Sequence, residues 1–135
     1  ARVVDLWSVS PKWDGRRVGA AARTRAMDYD EAALAEYARR FAADRLQLKF
    51  VVTFAGLQPR SGDLDRVVEL LLGLPAAQSA PVFLIPEAYA AGDYRERCRA
   101  LERAAGSLFR GPLAGWDLRV QPQWHRVLYG DERGR

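Results

Sequence analysis

Amide, imidazole and guanidinium side chains gather in the last stretch of the chain, Trp116–Arg135 (WDLRVQPQWHRVLYGDERGR). Gln123, His125 (the only histidine) and Arg133 all follow Pro122, which has no N–H to donate and therefore stops a strand ladder. Polar groups loaded just past a strand end are placed to build a site. Two further candidates come from a bias in composition. Of 21 basic residues only Lys12 and Lys49 are lysines, and the rest are arginines. A lysine is a compact charge on a flexible stem and is not equivalent to arginine, so the two retained lysines are candidates for specific roles. Chance accounts for them equally well on position alone.

The elements that must hold these groups read in alternation. Val3–Ser10 (VVDLWSVS) has the pattern of a strand, and Pro11 ends it beside Ser10 and Lys12. A long loop to Met27 follows, with Arg16, Arg17, Arg23 and Arg25 against Asp14. Such a loop fits either an anionic ligand or a solvated charged surface. Asp28 and Glu31 form a capping box opening a helix to about Arg45, with Leu34, Tyr37, Ala38 and Phe41 on its core stripe. Leu46–Phe54 is the second strand. Its two faces, Leu48, Phe50, Val52, Phe54 and Lys49, Val51, Thr53, are both largely apolar, as in a parallel strand covered on both sides. That placement would put Lys49 on an inner face, where it either snorkels out or meets a carboxylate, the second being favoured.

A loop, AGLQPRSG, leads to a helix over Asp63–Leu72, stopped by Gly73 and Pro75. Pro81–Ile85 is a short third strand running into Pro86 and Glu87, which makes Glu87 a possible ligand contact. Asp93 and Glu96 form a second capping box, and the next helix presents Tyr94, Cys98, Leu101 and Ala105 inward. Cys98 on that stripe reads as an inert core thiol. The last strand has Trp116, Leu118 and Val120 on one side, and a short helical turn follows it. The expected fold class is therefore α/β, a single domain over residues 1–135 with four parallel strands and alternating helices. Ligands of parallel sheets bind beyond the carboxyl ends of the strands, and most of the candidate residues fall there.

Composition removes several classes of function. A hydrophobic fraction of 49% suits a globular chain, and no apolar run approaches the roughly 20 residues that span a bilayer. No signal segment is read at the start, and one cysteine suits a reducing cytoplasm, the expected location. One cysteine also excludes an internal disulfide framework and a thiolate-ligated zinc or iron–sulfur site built by this chain alone. A net charge of +4 with interleaved acids makes a nucleic-acid interface the weakest reading.

The strand end VDLWSVSPK, the strands LKFVV and PVFLIPE, and above all the tail LRVQPQWHRVLYGDERGR resemble the carboxyl-terminal half of 7-carboxy-7-deazaguanine synthase, a radical S-adenosylmethionine family. The resemblance covers nearly the whole chain and is most specific in the tail, with its Pro-Gln-x-His, aromatic-Gly and Arg-Gly steps. It implies half of a partial (β/α) barrel. It also implies an enzyme, a carbon–nitrogen lyase of the queuosine and deazapurine pathway. Such enzymes rearrange 6-carboxy-5,6,7,8-tetrahydropterin to 7-carboxy-7-deazaguanine with S-adenosylmethionine, a [4Fe–4S] cluster and magnesium.

By motif match Ser10 and Lys12 would contact S-adenosylmethionine, while Lys49, Gln123, His125 and Arg133 would face the pterin-like substrate. A lone histidine after a strand otherwise reads as a hydrogen-bonded structural residue; the tail resemblance is what makes His125 a ligand contact. The family's CxxxCxxC motif, its glycine-rich cofactor stretch and its magnesium ligand belong to the amino-terminal half and are absent from this sequence. The chain alone is therefore expected to be inactive, completed by an amino-terminal half or a homo-oligomer partner, with an exposed apolar edge at Val3–Val9. The alternative is a stand-alone, cluster-free remnant that binds a pterin-like or nucleoside-like molecule without catalysis.

Overall fold

A computed structural model describes residues 6–11, 31–41, 45–88 and 93–129 of the 135-residue chain. Strand β1 (Trp7–Val9), helix α1 (Glu31–Phe41) and strand β2 (Leu46–Val52) are followed by two very short strands, β3 (Phe54–Ala55) and β4 (Gln58–Pro59). Helix α2 (Ser61–Leu72), a 3-10 turn (Pro75–Ala77), strand β5 (Pro81–Pro86), helix α3 (Tyr94–Arg110), strand β6 (Asp117–Val120) and helix α4 (Trp124–Tyr129) complete the order. The expected α/β class and the four-stranded parallel sheet are both present.

The main sheet runs β1-β2-β5-β6, every pair parallel. Order in space thus follows order in the chain. The register sets Leu48 beside Val82 and Leu118, and Phe50 beside Leu84 and Val120. On that face Leu46, Leu48, Phe50 and Val52 of β2 and Val82, Leu84 and Pro86 of β5 are buried. Leu34 and Ala38 of α1, Val67 and Leu71 of α2, and Ala100, Leu101 and Ala105 of α3 share one core with them. The three helices therefore pack on the same face.

The opposite face departs from the sequence expectation. Burial alternates strictly along β2 and β5: Gln47, Lys49, Phe83 and Ile85 are half-buried and Val51 is exposed. Among the described residues the sheet is covered by helices on one side, not two. Val51, Phe83 and Ile85 made that side look like core in the sequence, but no helix among the described residues packs over them. Among the described residues no ion pair involves Lys49, so the expected carboxylate beside it is not found there.

The edges of the described sheet are β1 and β6. Of the expected strand Val3–Ser10 the structure describes a strand at Trp7–Val9, paired on one side only, with Leu6 53% exposed just ahead of it. The loop expected after β2 holds an antiparallel hairpin, Phe54 opposite Pro59 and Ala55 opposite Gln58. Gly56 takes a φ of 62° in its two-residue turn, a conformation that glycine adopts without steric cost. Helix α2 starts at Ser61, ahead of the expected Asp63, because Asp63 lies in its first turn, where an acid favours the helix dipole. In α3 only half of the expected capping box forms. Asp93 accepts the Arg95 N–H at 2.8 Å, whereas Glu96 pairs with Arg99. The helix expected to open on Asp28 is described from Glu31; Asp28 and the arginine-rich loop lie outside the described residues.

Candidate site at the carboxyl ends of the strands

Where β2 leaves the sheet, two consecutive backbone N–H groups lose their ladder partners and find carboxylates. The Thr53 N–H donates to Asp63 Oδ2 at 2.7 Å, and the Thr53 hydroxyl donates to the same oxygen at 2.5 Å. The next N–H, of Phe54, donates to Glu87 Oε1 at 2.7 Å. Glu87 returns the link through its own N–H, which donates to the Val52 carbonyl at 3.0 Å. Glu87, read from the sequence as a possible ligand contact, therefore spends one carboxylate oxygen on the backbone of β3, just past the end of β2. It fixes the ends of β2 and β5 to each other.

A second cluster joins β5, α3 and the tail. Gln121 extends the β6 ladder by donating its N–H to the Leu84 carbonyl at 2.9 Å. Pro122 then turns the chain, and the Gln123 N–H donates to the Tyr94 hydroxyl at 2.7 Å. Gln123 Nε2 donates to the Pro86 carbonyl at 3.2 Å, and the Tyr94 hydroxyl lies 3.4 Å from the same oxygen. Gln123 is thus anchored by its backbone and by its amide nitrogen. Its amide oxygen takes part in neither bond and keeps acceptor capacity. Burial pushes the Tyr94 phenol above its ordinary range, keeping it neutral as donor and acceptor here.

Arg97, one turn after Tyr94, is fully buried, and its guanidinium lies 5.9 Å from the centroid of the Phe54 ring. A buried cation over an aromatic face is stabilised by the ring's quadrupole. Sequence reasoning passed over this residue because its charge hid its position: Arg97 falls three residues after Tyr94 and four before Leu101, on the inward stripe.

Cys98 is half-buried on α3, less enclosed than the core position expected. Burial raises its thiol pKa, the Glu102 carboxylate adds to the rise, and a hydrogen bond with Tyr94 opposes it. The thiolate is the reactive species, so a raised pKa means slow chemistry. Alkylation of Cys98 by iodoacetamide at pH 8 should run several-fold slower than that of glutathione. Its rate should climb about tenfold per pH unit until the raised pKa is passed. A rate equal to glutathione's would show an activated thiol.

Of the residues chosen from sequence, Ser10 is exposed at the carboxyl end of β1. The β1–β2 pairing ends at Val9 opposite Leu48, one residue before Ser10 and one before Lys49. Gln123 stands apart from that pair, past β6. The backbone of His125 belongs to α4, but its side chain lies outside the described residues, as do Lys12 and Arg133 entirely. Helix α4 exposes Trp124, Val127 and Leu128 at helical spacing. Among the described residues no group of three or more His, Cys, Asp or Glu side chains is placed to hold a metal ion, and no helix is long and apolar enough to cross a membrane.

No family model, no curated protein and no solved structure matches this chain.

Proposed function

We propose that this chain is the carboxyl-terminal half of a radical S-adenosylmethionine enzyme resembling 7-carboxy-7-deazaguanine synthase, contributing cofactor and substrate contacts while another half holds the cluster. The observation that carries the reading is the sheet itself: four parallel strands in chain order, helices on one face and an uncovered opposite face. Parallel strands laid down in this way build a (β/α) barrel wall, and the bare face is then its inner lining. Ser10, exposed just past β1, supports the cofactor side of the site and Lys49 on that face the substrate side, and the Gln123–Tyr94–Pro86 cluster supports an ordered start to the tail that carries His125.

The iron–sulfur cluster does not fit this chain. Cys98 is its one thiol, half-buried on α3, and burial disfavours the thiolate that iron would require. The cluster and magnesium would therefore be held by the other half. S-adenosylmethionine, held between the two halves, would on one-electron reduction by that cluster supply the radical chemistry. The role left to this chain is to bind, orient and desolvate. Lys49 offers a cation, Ser10 a hydroxyl, and Gln123 an amide oxygen toward a ring N–H.

Co-expression with the amino-terminal half of a 7-carboxy-7-deazaguanine synthase tests the reading. The two chains should co-purify and convert 6-carboxy-5,6,7,8-tetrahydropterin, while this chain alone should show no turnover. Binding of S-adenosylmethionine or the pterin by the isolated chain, without association, would favour the stand-alone remnant instead. Neither association nor binding by a folded chain would sink both.

A further inference from the structure

The carbonyl of Pro86 and the N–H of Glu87 belong to one peptide unit at the carboxyl end of β5, and its two ends serve different parts of the chain. On the carbonyl side, the Tyr94 hydroxyl and Gln123 Nε2 donate to the Pro86 oxygen at 3.4 and 3.2 Å, and the Gln123 N–H donates to the Tyr94 hydroxyl at 2.7 Å. These three bonds form a closed ring that ties the start of the tail to β5 and to the first turn of α3. On the N–H side, the Glu87 amide donates to the Val52 carbonyl at 3.0 Å, and the Glu87 carboxylate accepts the Phe54 N–H at 2.7 Å. Phe54 opens the β3–β4 hairpin, so this second group ties the hairpin to β5.

A peptide unit is planar, so its two ends cannot tilt independently. When the tail leaves, the Pro86 carbonyl loses both donors, and rotation of the peptide toward a new partner swings the Glu87 N–H away from Val52. The Glu87 side chain springs from the same residue, and its carboxylate is then carried off the Phe54 N–H. Hydrogen bonds at the two ends of a peptide also polarise one another, so each strengthens the other. Helix α3 supplies a second connection. Tyr94 holds the tail, and Arg97, one turn later, lies with its guanidinium carbon 5.9 Å from the Phe54 ring centroid. Tail and hairpin thus rest on the first turn of one helix and on one peptide of one strand.

We propose that the Pro86–Glu87 peptide couples the docking of the tail to the closure of the Phe54–Pro59 hairpin, with Tyr94 positioning Gln123 on one side and Glu87 positioning Phe54 on the other. Release of either element loosens the other through the strand end between them. The coupling is carried by hydrogen bonds within this chain and goes beyond the enzyme reading without resting on it.

Amide hydrogen exchange of the full chain, followed by NMR at several low urea concentrations, tests the coupling. Exchange at Gln123 and at Phe54 should be insensitive to urea, the mark of local opening, whereas Leu101 in the middle of α3 should report global unfolding. Tyr94→Phe keeps the ring and removes the hydroxyl, and Glu87→Ala removes the carboxylate. Neither change touches the residues flanking the two amides, so their intrinsic exchange rates stay fixed. Tyr94→Phe should speed local exchange at Gln123 about tenfold and at Phe54 about threefold. Glu87→Ala should speed it about tenfold at Phe54 and about threefold at Gln123. Both cross-effects must be present, because coupling between two sites is reciprocal. Should Glu87→Ala not fold, Glu87→Gln replaces it, with the same two directions expected. Acceleration confined to the amide beside each substitution, a cross-effect in one direction only, or a urea dependence at either amide equal to that of Leu101 would each overturn the coupling.

Discussion

Phe50→Ala is expected to remove about 3–5 kcal/mol of folding stability, the usual cost of deleting a large buried aromatic side chain. Phe50 is fully buried on β2, an interior strand, in register with Leu84 of β5. Its face meets all three helices in one core, so no single element can move in to close the space left behind. A domain of this size holds about 5–15 kcal/mol in total, and the variant should approach unfolding. Urea denaturation of Phe50→Ala and of its neighbour Val51→Ala checks the claim. Val51 is on the uncovered face, and its truncation should change stability by no more than about 0.5 kcal/mol. A large loss at Val51 would mean that this face is packed after all, against the fold description.

Asp63→Ala should cost about 2–3 kcal/mol, the second largest expected effect. One carboxylate oxygen takes both the backbone N–H and the hydroxyl of Thr53, where the β2 ladder ends. Hydrogen bonds to an ionised acceptor are worth more than neutral ones, and removal leaves a partly buried N–H without its acceptor. Asp63→Asn keeps an acceptor oxygen without the charge and should recover about half of the loss. Chemical denaturation of the two variants side by side provides the measurement. Equal losses would show that the charge contributes little and that geometry alone matters. Thr53→Val combined with Asp63→Ala should be less damaging than the sum of the single changes, since both remove the same hydroxyl bond.

The alternation of strands and helices was legible because prolines and glycines punctuate it. Pro11, Gly73, Pro75 and Pro122 each mark a boundary near the place the structure gives it. The uncovered face was not legible. Val51, Phe83 and Ile85 are apolar, and an apolar residue on a bare sheet face carries the same letter as one in a core. The hairpin at Phe54–Pro59 escaped for another reason. Two-residue strands are too short to show a period, and only Gly56 hinted at the turn.

At the candidate site, Pro122 announced that the chain would leave the sheet near Gln123. Nothing announced that Tyr94 would receive the Gln123 N–H, because the two are far apart in sequence and their pairing depends on α3 returning to the strand ends. Lys49 stood out as one of two lysines. Arg119 did not, being one arginine among many, and only the register reveals that it shares a row with Lys49.

The agreement between order in space and order in the chain also bears on how the protein is made. Each new parallel strand pairs with the one completed just before it, so emergence from the ribosome presents every strand to a partner already in place. No early strand has to wait for the last one, and loop-closure entropy is met in moderate steps, not in one long closure. Synthesis and assembly of these four strands can then advance together in chain order, with the Gln123 anchor on Tyr94 and Pro86 closing after β6.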